Sequence, residues 1–98
     1  MSLRVDKWLW AARFFKTRSL ASDAVSGGKV RINGATTKPA RDIKVGDKLE
    51  IANSETRWVV TVQALSDKRG PAPEARLLYE ETPESVAARE AERDARKF

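Results

Sequence analysis

The chain contains neither cysteine nor histidine. Without cysteine, no disulfide can staple the fold and no thiolate can hold zinc. Without histidine, the commonest general base, metal ligand and neutral-pH switch is missing. The usual catalytic arrangements cannot be assembled from what remains, so no catalytic residue, metal site or cofactor is expected. Ser19, Ser22 and Ser26 could donate to phosphate oxygens, but a serine without a histidine partner is a poor nucleophile. Long apolar runs are also absent. Trp8 to Ala12 is far shorter than the roughly 20 residues needed to span a bilayer, and Arg4 and Lys7 break up the start where a signal peptide would lie. A cytoplasmic, soluble monomer with no membrane partner is expected.

What the sequence has is positive charge, unevenly placed. The net charge is +5 over 98 residues. Residues 1–49 hold eleven Lys/Arg against four Asp/Glu, and residues 50–98 hold eight against ten. A field polarised in this way draws in polyanions and speeds their encounter. At this length a single domain leaves much of its surface exposed.

Hydrophobic period outlines the elements. Asp6 to Phe15 reads as an amphipathic helix with Asp6 at its positive end. Trp8, Leu9, Ala12 and Phe15 lie on one side of it, and Lys7, Trp10 and Ala11 point largely the other way. A second helix is expected after the capping residue Thr17, closing at Gly27-Gly28, with Leu20, Ala21, Ala24 and Val25 as its apolar stripe. Lys29-Val30-Arg31-Ile32 then alternates as a half-buried strand does, and Asn33-Gly34 is a two-residue hairpin turn. A loop from Thr37 to Asp47 leads to a strand at Leu49 and Ile51, and residues 53–55 turn the chain. Trp58, Val60 and Val62 form the inward face of a longer strand. Gly70-Pro71-Ala72-Pro73 breaks regular structure, and Leu77-Leu78-Tyr79 is an apolar knot expected to dock. Glu80-Glu81 reads as a solvated acidic pair. Thr82-Pro83 starts a largely solvated helix running to Lys97. The fold class is α+β: two short N-terminal helices packed on a small, mostly antiparallel sheet, plus a C-terminal helical extension.

The candidate binding residues are basic and come early. Arg4, Lys7, Arg13, Lys16 and Arg18 sit on or between the helices, Lys29 and Arg31 on the first strand, and Lys38 and Arg41 in the following loop. If the helices pack together, these groups form one surface bordered by the start of the sheet. Both side-chain types stay charged at neutral pH, and arginine adds a planar donor fork suited to phosphate. Two readings stand: a nucleic-acid interface, or an ordinary solvated basic face. Trp10 likewise reads either as core or as a platform on which an unpaired RNA base could stack. Arg89, Arg93, Arg96 and Lys97 share a face of the last helix, but Glu90, Glu92 and Asp94 between them favour solvation equally.

These residues fall into a pattern. Arg4-Val5-Asp6-Lys7-Trp8-Leu9-Trp10-Ala11-Ala12-Arg13-Phe14-Phe15-Lys16-Thr17-Arg18, then Gly28-Lys29-Val30-Arg31-Ile32-Asn33-Gly34, Lys38-Pro39 and Val45-Gly46-Asp47-Lys48-Leu49, resemble the αL RNA-binding domain family named after small-subunit ribosomal protein four. The tryptophan-rich opening and Ala75-Arg76-Leu77-Leu78-Tyr79-Glu80-Glu81-Thr82 are similar to the small bacterial heat-shock branch of that family. The resemblance implies an αL fold over residues 3–65, followed by a linker and docking segment at 66–81 and a C-terminal helix at 82–98. It implies a non-catalytic protein that binds ribosomal RNA of the large subunit. The subunits it implies are free ones carrying a stranded nascent chain with its tRNA, a candidate second partner, and recycling of these under heat stress is the implied role. The RNA-facing positions it implies are Arg4, Lys7, Arg13, Arg18, Lys29, Arg31 and Lys38. Ala40 stands where the family commonly has serine, which implies one hydroxyl contact fewer. Two other function classes fit the residues: a protein-interaction module using the mixed-charge last helix, and the accessory RNA-binding part of an RNA-modifying enzyme.

Overall fold

The computed structural model describes residues 2–53 and 56–96. The first helix, α1, is Val5–Ala11, four residues shorter at its C-terminus than its apolar period suggests. Its N-cap, Arg4, makes no side-chain capping bond. The free N–H groups of the first turn are met instead by the loop 37–47: Val5 N donates to Arg41 O at 2.8 Å and Asp6 N to Pro39 O at 3.4 Å. The third free amide, Lys7 N, donates to Asp6 Oδ1 at 2.7 Å, so loop carbonyls and one carboxylate together answer the need every helix start has.

The other end of α1 closes in a Schellman motif built on arginine. Arg13 lies in the left-handed region with φ 68°. Phe14 N donates to Leu9 O at 3.0 Å and Arg13 N to Trp10 O at 3.1 Å, the paired bonds that define this ending. The hydrophobic contact that goes with the motif is also present, since the Phe14 ring lies 6.2 Å from that of Trp8. Phe14 is therefore buried and Phe15 only half-buried, and Ala11, expected on the outer side, is buried.

The second helix, α2, is Arg18–Ser26, and Thr17 accepts from Leu20 N at 3.0 Å as its cap. Ala21, Ala24 and Val25 are buried as expected, but Leu20 is 49% exposed. With a capping residue three positions before it, Leu20 sits on the first turn, beyond the reach of the core.

Five strands follow: β1 Val30–Ile32, β2 Ala35–Thr36, β3 Lys48–Asn53, β4 Thr56–Val62 and β5 Tyr79–Glu81. They form one antiparallel sheet in the order β2-β1-β3-β4-β5. The β1–β2 turn is Asn33-Gly34 with φ 51° and 88°, as a two-residue hairpin requires. Of the turn expected at residues 53–55, Asn53 ends β3 and the other two positions lie outside the described residues.

Period two sorts the sheet. Val30, Ile32, Leu49, Ile51, Val60 and Val62 are buried on the inner face beneath α1 and α2. Trp8 fills the centre of this core, and its indole N–H donates to Ala64 O at 2.9 Å. Replacing a fully buried aromatic such as Trp8 by alanine costs about 3–5 kcal/mol. On the outer face Arg31, Glu50 and Arg57 are exposed.

The segment read as a breaker and docking stretch is partly regular. It carries a helical turn α3, Ala72–Ala75, a 3-10 turn at Arg76–Leu78, and then β5. Leu78 and Tyr79 pack against the core, whereas Leu77 is 73% exposed.

The last helix, α4, is Pro83–Arg96, and Thr82 Oγ1 accepts from Ser85 N at 3.2 Å at its start. Lys97 and Phe98 lie outside the described residues. The helix is anchored at its first turns. Val59 N donates to Ser85 Oγ at 2.9 Å, and Arg89 lies 4.0 Å above the Trp58 ring. Trp58 is consequently half-buried under an arginine, where the sequence suggests a core residue. Glu81, read as solvated, accepts both guanidinium nitrogens of Arg89 at 2.9 and 2.6 Å and the Ser85 hydroxyl at 2.6 Å. Among the described residues no helix is long and apolar enough to cross a membrane.

Candidate nucleic-acid interface

The ten candidate residues fall into three groups. The first group gathers on the carboxylate of Asp6. This side chain is only 4% exposed, and it accepts from Arg4 Nε at 3.1 Å and Nη2 at 2.9 Å. Arg18, at the start of α2, reaches the same carboxylate at 3.9 Å. Arg4 and Arg18 stay 49% and 45% exposed, so each offers part of its donor set to solvent. The buried acid holds the Arg4 fork just before α1 by two hydrogen bonds and draws the Arg18 guanidinium at the start of α2 towards it, so less side-chain entropy is lost when the two meet a ligand.

The loop 37–47 joins this group through the backbone. Arg4 bridges Asp42, and the Val5 and Asp6 amides bond to Arg41 and Pro39. Lys38 and Arg41 are exposed on that loop. Lys7 is half-buried on α1 beside Asp6. Arg4, Lys7, Arg18, Lys38 and Arg41 thus come from three segments that the structure holds together at the N-terminal end of α1.

The connection between α1 and α2 behaves differently. Lys16 is exposed on it. Arg13 donates Nη1 to Gly70 O at 3.0 Å, so part of its fork serves the fold. Trp10 is half-buried, neither fully in the core nor an open platform. The Arg69 guanidinium carbon stands 5.9 Å from its ring centroid. The same Arg69 donates Nη1 to Trp10 O at 2.6 Å and to Phe15 O at 2.7 Å. Burial, and then the positive charge of Arg13, hold the Arg69 guanidinium below its ordinary value. Sequence reasoning missed Arg69, because nothing local marks an arginine that bonds to carbonyls more than fifty residues away.

Lys29 and Arg31 lie on the other side. They alternate with Val30 and Ile32, whose side chains point into the core under the helices, so their own side chains leave the outer face of the sheet. The single surface expected from helix packing is therefore split: a helix–loop group and a sheet group, with Lys16 on the connection between the helices.

Comparison with known proteins follows the same lines. Residues 3–49 match the family profile of the S4 domain. The chain is 47% identical over 98 residues to heat shock protein 15 of Escherichia coli K12, covering all of this chain and 74% of that one. It is 35% identical over 65 residues to the RQC P-site tRNA stabilizing factor of Bacillus subtilis, covering 66% of this chain and 76% of that one. The solved structure of heat shock protein 15 from Vibrio cholerae superposes with a TM-score of 0.91 at 43% identity, covering 94% of this chain and 93% of that one. That relative is described as trimeric, which runs against the monomer expected from the sequence. No rule of composition or period reports on assembly, so the expectation had no physical support beyond size. Identity along the full length, with the S4 match over the helices and first strands, makes this chain a member of the heat shock protein 15 family.

Proposed function

We propose that the chain is a non-catalytic, cytoplasmic RNA-binding factor that engages ribosomal RNA on free large ribosomal subunits. The subunits in question carry a stranded nascent chain with its tRNA, and the role is their recycling under heat stress. The observation that carries this reading is the pair Arg4–Arg18 held on buried Asp6, flanked by Lys38 and Arg41. Fixed cations from three segments suit the backbone of a structured RNA, whose deep major groove hides its base edges. Phosphate contacts then dominate, and affinity falls steeply with salt. The relationship to a P-site tRNA stabilizing factor supports tRNA as a neighbour of the binding site.

Ultraviolet crosslinking to large subunits from heat-stressed cells, followed by sequencing of the bound RNA, tests the reading. Enrichment of large-subunit ribosomal RNA, lost in Arg18→Gln, is expected. Recovery of no ribosomal RNA, or equal recovery from the variant, would sink it. Self-association belongs to the same reading: this chain forms a trimer, as its Vibrio cholerae relative does. Sedimentation as a 10.9 kDa species at working concentration would refute that part.

A further inference from the structure

The outer face of the sheet holds an unusual row. Arg57 on β4 is directly opposite Ala52 on β3. On the other side of β3, Ala52 N donates to Lys29 O at 2.8 Å, one residue before the Val30–Ile51 pair. Lys29, just before β1, therefore stands in line with Ala52 on β3 and Arg57 on β4, and residues in such a row share a face. Strands lie about 4.8 Å apart, so the two cationic side chains leave the sheet about 10 Å apart with a single methyl group between them. The next row is Arg31, Glu50 and Val59.

These six residues, with Gly28, Ile51 and Trp58, line an open depression of ≈ 380 Å³. Lys29, Arg31 and Arg57 are exposed, and none is ion-paired among the described residues. Glu50 is the single acidic residue in the lining. Asn53, next along β3, donates Nδ2 to Phe14 O, which sets this end of the sheet against the α1–α2 connection that carries Lys16.

We propose that this depression is a second phosphate site, in which Lys29 and Arg57 clasp one phosphodiester of the bound RNA over Ala52. Arg57 supplies the planar fork and Lys29 a point charge from the opposite side, a combination matched to a phosphate with two free oxygens. Arg31 adds a third charge at the rim and offsets Glu50. The protein then touches RNA backbone on two faces at once, the helix–loop group on one side and the sheet on the other. This inference rests on the RNA-binding reading above and adds Arg57, which neither charge clustering nor family resemblance singles out.

The test separates charge from fit. Binding of a fluorescently labelled RNA hairpin is measured across a salt series for the full chain and for Arg57→Gln, Ala52→Leu and Arg18→Gln, with thermal melts run alongside. Arg57→Gln should weaken binding several-fold and make the dependence of log K on log salt shallower by about 0.7–0.9. Ala52→Leu keeps every charge but fills the gap, and it should weaken binding comparably. Ala52→Val, a better strand former, replaces it if the leucine disturbs folding. Loss in Arg18→Gln alone overturns the second site and leaves the helix–loop reading standing. Loss in Arg57→Gln without loss in either Ala52 variant removes the clasp over Ala52. Full affinity in every variant overturns both readings.

Discussion

Arg69 and Trp10 are joined twice: the guanidinium donates to the Trp10 carbonyl at 2.6 Å and faces the Trp10 ring at 5.9 Å. A further bond to Phe15 O means that one side chain spans the α1–α2 connection from Trp10 to Phe15. The Trp10 carbonyl also accepts from Arg13 N, so Arg69 is its second donor, whereas Phe15 O lies in the connection beyond the helix. Arg69→Ala should destabilise the fold by about 1.5–3 kcal/mol, the range for hydrogen bonds from a charged donor. Arg69→Lys should recover only part of this, since a point charge cannot lie along two carbonyls and a ring at once. Urea denaturation of the three proteins measures the difference; equal midpoints would show the contacts to be incidental.

Arg13 is a non-glycine residue in the left-handed region, which costs an L-residue roughly 1–2 kcal/mol. Arg13→Gly and Arg13→Ala both remove the charge and the bond to Gly70, but only glycine relieves the backbone. The glycine variant should melt above the alanine variant by a margin corresponding to about 1 kcal/mol. If Arg13 also contacts RNA, both should lose affinity equally. Unequal affinities would trace the loss to backbone geometry in place of charge.

Asp6 sets charge against order. Asp6→Asn removes a negative charge beside the helix–loop cations, which on net charge alone would tighten binding to a polyanion. It also removes the common anchor of Arg4 and Arg18. We expect order to win: weaker RNA binding, and a fold destabilised by about 1–2 kcal/mol for loss of charge-assisted hydrogen bonds. Tighter binding in a filter assay would show that the arginines need no fixing.

Glu81 gives the protein an acid-sensitive contact. Burial pushes its carboxyl up, but the Arg89 fork and the Ser85 hydroxyl outweigh this and hold it below its ordinary value of 4.5. A depressed carboxylate contributes its stability above the unfolded value and loses it as pH falls through the folded one. Docking of α4 should thus hold above about pH 4.5 and weaken below it. As Arg89 covers Trp58, the change should appear in tryptophan fluorescence and vanish in Trp58→Phe. A Glu81→Gln variant should show α4 loosened at every pH, with no acid step of this origin.

Where local chemistry decides, the sequence is a good guide. Thr17 caps α2, Asn33-Gly34 makes the hairpin, and Thr82-Pro83 opens α4 because each needs only its neighbours in the chain. The end of α1 was hidden because its left-handed residue is arginine, where the recognisable signal is glycine. Trp58 and Glu81 were misplaced for a different reason: both are completed by Arg89, which lies on a helix with one large aliphatic residue and no visible stripe to dock it. The division of the basic residues follows from the pleat. Period alone puts Lys29 and Arg31 opposite Val30 and Ile32, but only the tertiary fold shows which side the helices cover.

Both margins of the sheet are short. β2 has two residues and β5 three, and past β5 the chain stays on β4 only for the bond from Thr82 N to Val59 O before α4 begins, whose Ser85 hydroxyl then accepts from Val59 N. A border this brief gives a neighbouring polypeptide little backbone to zip onto. Between copies of this chain, growth by stitching sheet to sheet is therefore disfavoured.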